Sequence, residues 1–292
     1  MVAFEFPEET KLDVIVTFDT KSHSDDAYAL TYALLSSRLR VLGIIATRFN
    51  QSDSVSQSRK AALHLESLLK SQTPVYDGFP DYFEENSENQ ALSDGVKFLI
   101  EQASQKPVTV LCMTVLTDIA FAIHACPSIV PNIRIVWAGG GAYPKGAQYE
   151  PNIINDREAA NFVLQSGVEF FQIPKNVYRM FNVSFSELFL KVKPYGELGE
   201  YLYNLIIERA MDKKRPLRTG CYWVLGNLAI IGAVLCEWNF CLEERPAPSF
   251  TRHCVYMDVG THEKINVFKD IDTRFILEDF FAKVQIFSME EN

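Results

Sequence analysis

Val14-Ile15-Val16-Thr17-Phe18-Asp19-Thr20-Lys21-Ser22-His23-Ser24-Asp25-Asp26-Ala27-Tyr28-Ala29-Leu30 is the stretch whose reading decides the fold. An apolar run closes on a carboxylate, and six residues later two adjacent carboxylates open a helical pattern. Three acids at one strand-to-helix turn suit a hard cation, because Ca²⁺ takes about six to eight oxygens at about 2.3–2.6 Å and Asp supplies them. The place fits too, since open α/β sheets bind ligands beyond the carboxyl ends of their strands. Lys21, in the middle of the turn, argues against a cation. Asp is also a common N-cap that accepts a backbone N–H and favours the helix dipole, so Asp25 read alone is a cap.

Outward from this turn the pattern alternates. Strands are expected at 13–18, 39–46, 108–113, 133–138 and 168–172, with a short one starting at Val75. Helices are expected at 26–36, 54–70, 95–103, 117–125 and 157–165. In the second of these, Ala61, Leu65, Leu68 and Leu69 recur at helical spacing. Residues 78–93 are polar and acidic and read as a surface loop. Strands alternating with helices imply βαβ units with right-handed crossovers. The expected architecture is therefore a single α/β domain over residues 1–292, with a central, mostly parallel sheet flanked by helices. The second half reads as more helical, at 185–191, 195–210 and 221–236. A tail of two or three strands and a final helix follows at 272–281.

Composition narrows the function. The 292 residues are 48% hydrophobic and 22% charged, which is an ordinary soluble globular profile. A net charge of −9 disfavours nucleic acid as a partner, because its binders carry basic stripes. The run Lys213-Lys214-Arg215 reads as a solvated turn. Six scattered cysteines form no C-x-x-C pair, so reduced thiols in a cytoplasm are the economical reading. Glu5, Glu8 and Glu9 precede any apolar run, which excludes a signal peptide reading. The most apolar stretch, 224–236, is too short for a membrane span.

Four further segments end strands with polar or glycine-rich residues. These are Ala46-Thr-Arg-Phe-Asn50, Cys112-Met-Thr-Val-Leu-Thr117-Asp118, Trp137-Ala-Gly-Gly-Gly141, and the stretch from Gln148 to Ala160 that holds Glu150, Asn152 and Asp156. Each has a plain reading as a cap or turn. In a parallel sheet, however, all of them share one rim with Asp19, Asp25 and Asp26.

With these segments in order, the chain resembles the inosine/uridine-preferring nucleoside hydrolases. That family opens with a strand and Asp-x-Asp-Pro-Gly-x-Asp-Asp, matched here by Asp19-Thr-Lys21-Ser-His-Ser-Asp25-Asp26. Its Gly-Asn is matched by Phe49-Asn50, and its Pro-Val-Tyr-x-Gly by Pro74-Val-Tyr-Asp-Gly78. Its Gly-Pro-Leu-Thr-Asn-x-Ala resembles Thr114-Val-Leu-Thr117-Asp-Ile-Ala120, and its Met-Gly-Gly resembles Ala138-Gly-Gly140. Its Glu-Phe-Asn-Ile-x-x-Asp-Pro-Glu-Ala-Ala is similar to Glu150-Pro-Asn152-Ile-Ile-Asn-Asp156-Arg-Glu158-Ala-Ala160. The resemblance covers about residues 12–170 and weakens afterwards.

For intact members the resemblance implies a Ca²⁺ at the pocket floor, a metal-bound water as nucleophile, and an oxocarbenium-like transition state. By position, Asp26 and the Thr117 carbonyl match metal ligands, whereas Asp25, Asn50, Glu150 and Asn152 match ribose contacts. The expected substrate-binding set is therefore Asp25, Asp26, Asn50, Glu150 and Asn152, around a small-molecule nucleoside or riboside. The resemblance also implies a homodimer or homotetramer.

The departures sit in the pocket. Lys21 stands where the family has its catalytic, metal-bound Asp, changing −1 to +1. Two placements are open: Lys21 fills the metal position as an internal cation against Asp25 or Asp26, or it swings out to solvent. The late metal-binding Asp aligns with Gly226, or with Asn227 after a one-residue slip, and the leaving-group histidine is missing. His23 reads as an exposed loop residue, and Tyr222 or Trp223 reads as a base-stacking ring or as core. No cofactor is expected, with Ca²⁺ entering only if Lys21 leaves the site. The favoured reading is a non-catalytic member of the fold that binds a riboside or has a structural role. The alternative is an active hydrolase of the N-glycosidic bond that gives ribose and a free base. An unrelated Mg²⁺- and phosphate-binding enzyme is disfavoured, because no G-x-x-x-x-G-K loop is present.

Overall fold

The computed structural model describes residues 5–20, 24–85, 91–146, 149–212, 220–236 and 240–291. Lys21, His23 and the run Lys213-Lys214-Arg215 lie outside the described residues. The first half alternates as β1 (Leu12–Phe18), α1 (Asp26–Leu34), β2 (Leu39–Ala46), α2 (Ser54–Leu68), β3 (Val75–Asp77), α3 (Asp94–Gln105), β4 (Val108–Cys112), α4 (Thr117–Ala125) and β5 (Ile133–Ala138). There follow α5 (Pro151–Asn155), α6 (Arg157–Leu164), β6 (Glu169–Ile173), α7 (Lys175–Tyr178), β7 (Asn182–Ser184), α8 (Phe185–Lys191), α9 (Gly196–Ala210) and β8 (Tyr222–Val224). The chain ends with α10 (Leu228–Leu235), β9 (Phe240–Pro246), β10 (Ser249–Phe250), β11 (Tyr256–Met257), β12 (Lys264–Ile271) and α11 (Thr273–Glu291).

The main sheet has eight strands in the order β3-β2-β1-β4-β5-β6-β12-β9. Every neighbouring pair is parallel except β12 with β9 at one edge. Both faces are buried, and the period of two is visible residue by residue. Val14, Val16 and Phe18 of β1 enter one hydrophobic cluster, and Ile15 enters the other. Likewise Ile133, Ile135 and Trp137 of β5 join the second cluster, while Val136 and Ala138 join the first. Residues from α1, α2 and α8–α11 cover the first face, and residues from α3, α4 and α6 the second. This three-layer arrangement explains why the strands read as continuous apolar runs.

One expected helix is corrected. Residues 221–236 divide into β8, antiparallel to β7, and the shorter α10. Trp223 packs against the core, so the apolar run needs no helix to be buried until Leu228. The final helix also begins as expected but continues to Glu291. Among the described residues no helix is long and apolar enough to cross a membrane. All six cysteines are free.

Candidate active site

The strand order places the site. From β1 the chain winds outward through β2 and β3, then returns to β4 on the other side of β1. Such a switch point opens a crevice beyond the carboxyl ends of the two strands. A cavity of about 170 Å³ opens there, bordered by Asp25, Met113, Ala138, Glu150, Asn152, Lys175, Tyr178, Gly226 and Asn227 among others.

Asp25 precedes α1 and is fully enclosed. The backbone N–H of Asn227, at the start of α10, donates to its Oδ2 at 2.9 Å. Its Oδ1 has no hydrogen-bond partner among the described residues. Burial pushes its carboxyl up to about 6, against the backbone N–H groups of Asn227 and Gly226. Asp26 is also buried, and neither of its oxygens has a hydrogen-bond partner among the described residues. Burial, then the negative charges of Asp19 and Asp25, hold it well above the usual carboxylate range. Asp26 does not border the cavity.

Glu150 caps α5: its Oε2 accepts the N–H of Ile153 at 2.9 Å, and the Tyr178 hydroxyl lies 3.5 Å from Oε1. Burial raises its pKa, and the N–H groups of Ile153 and Gly140 oppose the shift. Asn152 donates from Nδ2 to the carbonyls of Ala138 (2.8 Å) and Met113 (3.3 Å), which ties the ends of β5 and β4 together. Asn50 lies elsewhere. It is exposed, with its Oδ1 accepting from the Tyr82 hydroxyl at 3.3 Å. Arg48 turns inward from the same segment, donating to the carbonyls of Asn155 (2.9 Å) and Pro80 (3.3 Å). Of the five expected binding residues, the fold thus brings Asp25, Glu150 and Asn152 to one cavity.

The Thr117 hydroxyl donates to Asp156 at 2.6 Å, and at this strand end it is Met113 that borders the cavity. Val224 borders it as well, whereas Tyr222 and Trp223 do not. Lys175, Tyr178 and Arg179 were missed. Their one sequence signal is Pro174-Lys175 directly after β6, another carboxyl end of the same sheet.

The described residues alone do not complete a carboxylate cage for calcium. They contain no group of three His, Cys, Asp or Glu side chains able to hold a metal. Gly226 brings no acid to the pocket, and a Cβ there would meet Tyr178 Cδ2 at 2.9 Å.

The glycine triplet gives this rim its shape. Gly140 has φ +84°, and a Cβ on it would stand 2.3 Å from Gln172 Nε2 and 2.5 Å from the Tyr256 hydroxyl. Gln172 Nε2 is committed to the Gly139 carbonyl (2.9 Å) and to the Tyr256 oxygen (2.8 Å). Gly140→Ala combines a left-handed backbone with overpacking, so it should destabilise the protein by roughly 3 kcal/mol. Urea unfolding checks this, and an unchanged midpoint would contradict it.

Comparison with known proteins agrees with this geometry. The model of the inosine-uridine preferring nucleoside hydrolase family matches residues 14–265. The chain is 26% identical over 220 residues to the probable uridine nucleosidase 2 of Arabidopsis thaliana, covering 65% of this chain and 68% of that one. It is 29% identical over 179 residues to the pyrimidine-specific ribonucleoside hydrolase RihB of Escherichia coli strain SE11, covering 52% of this chain and 56% of RihB. The match thus spans little more than half the length of RihB. In fold, it superposes on the purine-preferring ribonucleoside hydrolase from Gardnerella vaginalis with a TM-score of 0.79 at 21% identity, over 94% of this chain and 99% of that one. With the motif order, the switch-point cavity and the family match in agreement, the chain belongs to the inosine-uridine preferring nucleoside hydrolase family.

Proposed function

We propose that this protein binds a nucleoside or related riboside in the switch-point cavity without hydrolysing it through a metal-bound water. The observation that carries the reading is the contrast within one pocket. Asp25, Glu150 and Asn152, the residues suited to sugar hydroxyls, border it together, while Gly226 stands where the family resemblance sets an acid. Lys21, aligned with the catalytic Asp, supports the same reading, because an ammonium repels a divalent cation. Binding by one chain of 292 residues, self-associated as a dimer or tetramer in a cytoplasm, completes the proposal.

A second reading keeps hydrolysis. It is favoured by the Asp25 carboxyl, which burial brings to about 6, near enough to neutrality to exchange a proton during N-glycosidic cleavage. The relatives' names point to both pyrimidine and purine nucleosides, so the base stays open. Free-ribose release from a panel of both classes separates the readings, with binding followed by calorimetry on the same samples. Binding without release is the expected result. Release that disappears in Asp25→Ala would replace the first reading with the second.

A further inference from the structure

We propose that Lys175 and Arg179 hold a phosphate in this cavity, so that the preferred ligand is a ribosyl phosphate ester and not a neutral riboside. The proposal rests on the riboside reading of the same cavity. Its own observation is a pair of cations. Lys175 and Arg179 both border the cavity, four residues apart on and just after α7. That spacing puts them on one side of the turn, where like charges repel unless an anion lies between them.

Among the described residues no ion pair supplies such an anion, although the Glu150 charge favours the charged form of Lys175. Neither residue belongs to an ion pair among the described residues. Glu150, the acid closest in influence to Lys175, has its oxygens turned to the Ile153 N–H and the Tyr178 hydroxyl. Lys175 Nζ instead meets the backbone carbonyl of Tyr149, an exposed ring on the rim of the same cavity. Half-burial makes the Lys175 charge harder to hold, the Glu150 charge partly offsets this, and the neighbouring Arg179 adds to it; a bound anion opposes the like-charge repulsion. The chain carries a net charge of −9, so two cations bordering one cavity without an ion pair among the described residues run against its average surface.

The lining matches the proposed ligand in kind: Asp25 and Asn152 suit sugar hydroxyls, and Lys175 and Arg179 suit a phosphate, around one cavity. In ribose the vicinal hydroxyls lie on one edge and the hydroxymethyl carbon on the other, so a phosphate on that carbon is set apart from hydroxyls held by Asp25. Lysine and arginine are the residues that recognise phosphate through charge-assisted hydrogen bonds.

The test is calorimetry on the full chain with four probes: a nucleoside, its 5′-monophosphate, ribose 5-phosphate and inorganic phosphate. Each is titrated into the native protein, Lys175→Met and Arg179→Gln, with far-UV circular dichroism confirming the fold of each. The 5′-monophosphate is expected to bind at least tenfold more tightly than the nucleoside. Either substitution should bring the two within threefold, mainly by weakening the ester. Ribose 5-phosphate binding as tightly as the monophosphate supports a ligand without a base, and weaker binding supports a nucleotide. Equal binding of nucleoside and monophosphate by the native protein removes this proposal and leaves the riboside reading standing. A preference that survives both substitutions, or inorganic phosphate binding as tightly as the esters, also overturns it. If neither nucleoside nor ester binds, the riboside reading falls with it.

Discussion

Asp118→Asn raises the unfolding free energy at pH 8 by roughly 3 kcal/mol and flattens its pH dependence; this is the expected result of removing a buried charge with little else. Asp118 lies in the first turn of α4 and is 1% exposed. Its Oδ1 accepts the N–H of Phe79 at 2.6 Å, and its Oδ2 has no hydrogen-bond partner among the described residues. Burial pushes the carboxyl up to about 7; the Phe79 N–H and the Arg48 charge act against the shift, and the Asp156 charge adds to it. Between the ordinary 3.8 and about 7, the folded protein keeps a proton that the unfolded chain releases. Stability is therefore full below pH 4 and falls as pH rises toward 7, by an upper bound on the order of 4 kcal/mol at about 1.36 kcal/mol per unit. Asn preserves the acceptor for Phe79 and has no charge to desolvate. It is also the residue that the family's Thr-Asn-x-Ala motif carries at this position. Chemical denaturation from pH 4 to pH 8 measures the effect. A native profile that does not fall across this range, or a variant no more stable at pH 8, would refute it.

Asp25→Ala weakens riboside binding about 10- to 150-fold, because a lost hydrogen bond to a charged group is worth about 1.5–3 kcal/mol. Asp25 borders the cavity with one oxygen held by Asn227 and the other buried without a hydrogen-bond partner among the described residues, so a sugar hydroxyl that reaches it donates to a carboxylate already fixed in place. The comparison is Asp26→Asn. Asp26 is the adjacent acid in sequence but does not border the cavity, and its substitution should change affinity less than about threefold. Calorimetry on both variants decides the matter. Comparable losses from the two would mean that the pair acts as one charge and not as one contact and one buried neighbour.

Much of the fold was legible because its signals are periodic. The runs Leu39–Ala46, Thr117–Ala125 and Ile133–Ala138 have the bounds expected from apolar patterning alone. Among the elements that escaped are ones too short to show a period: α5 and α7, of five and four residues, and the three-residue β8 hidden in an apolar run; the seven-residue β9 escaped as well. The site divided along the same line. Asp25, Glu150 and Asn152 were readable because each is a polar residue just beyond a strand or at a cap. Asn50 carries the same signal, yet its loop turns Arg48 inward and leaves the amide outside. Lys175 and Arg179 belong to a turn with no pattern of its own.

The sequence by itself determined the layered α/β architecture and the rim on which polar residues gather, because side-chain alternation and strand–helix order are local properties of the chain. Only the tertiary structure decided which of those residues share a cavity. That depends on β4 pairing with β1, and on contacts such as the Asn227 N–H to Asp25 across 202 residues. No local periodicity encodes the packing of α10 beside the start of α1.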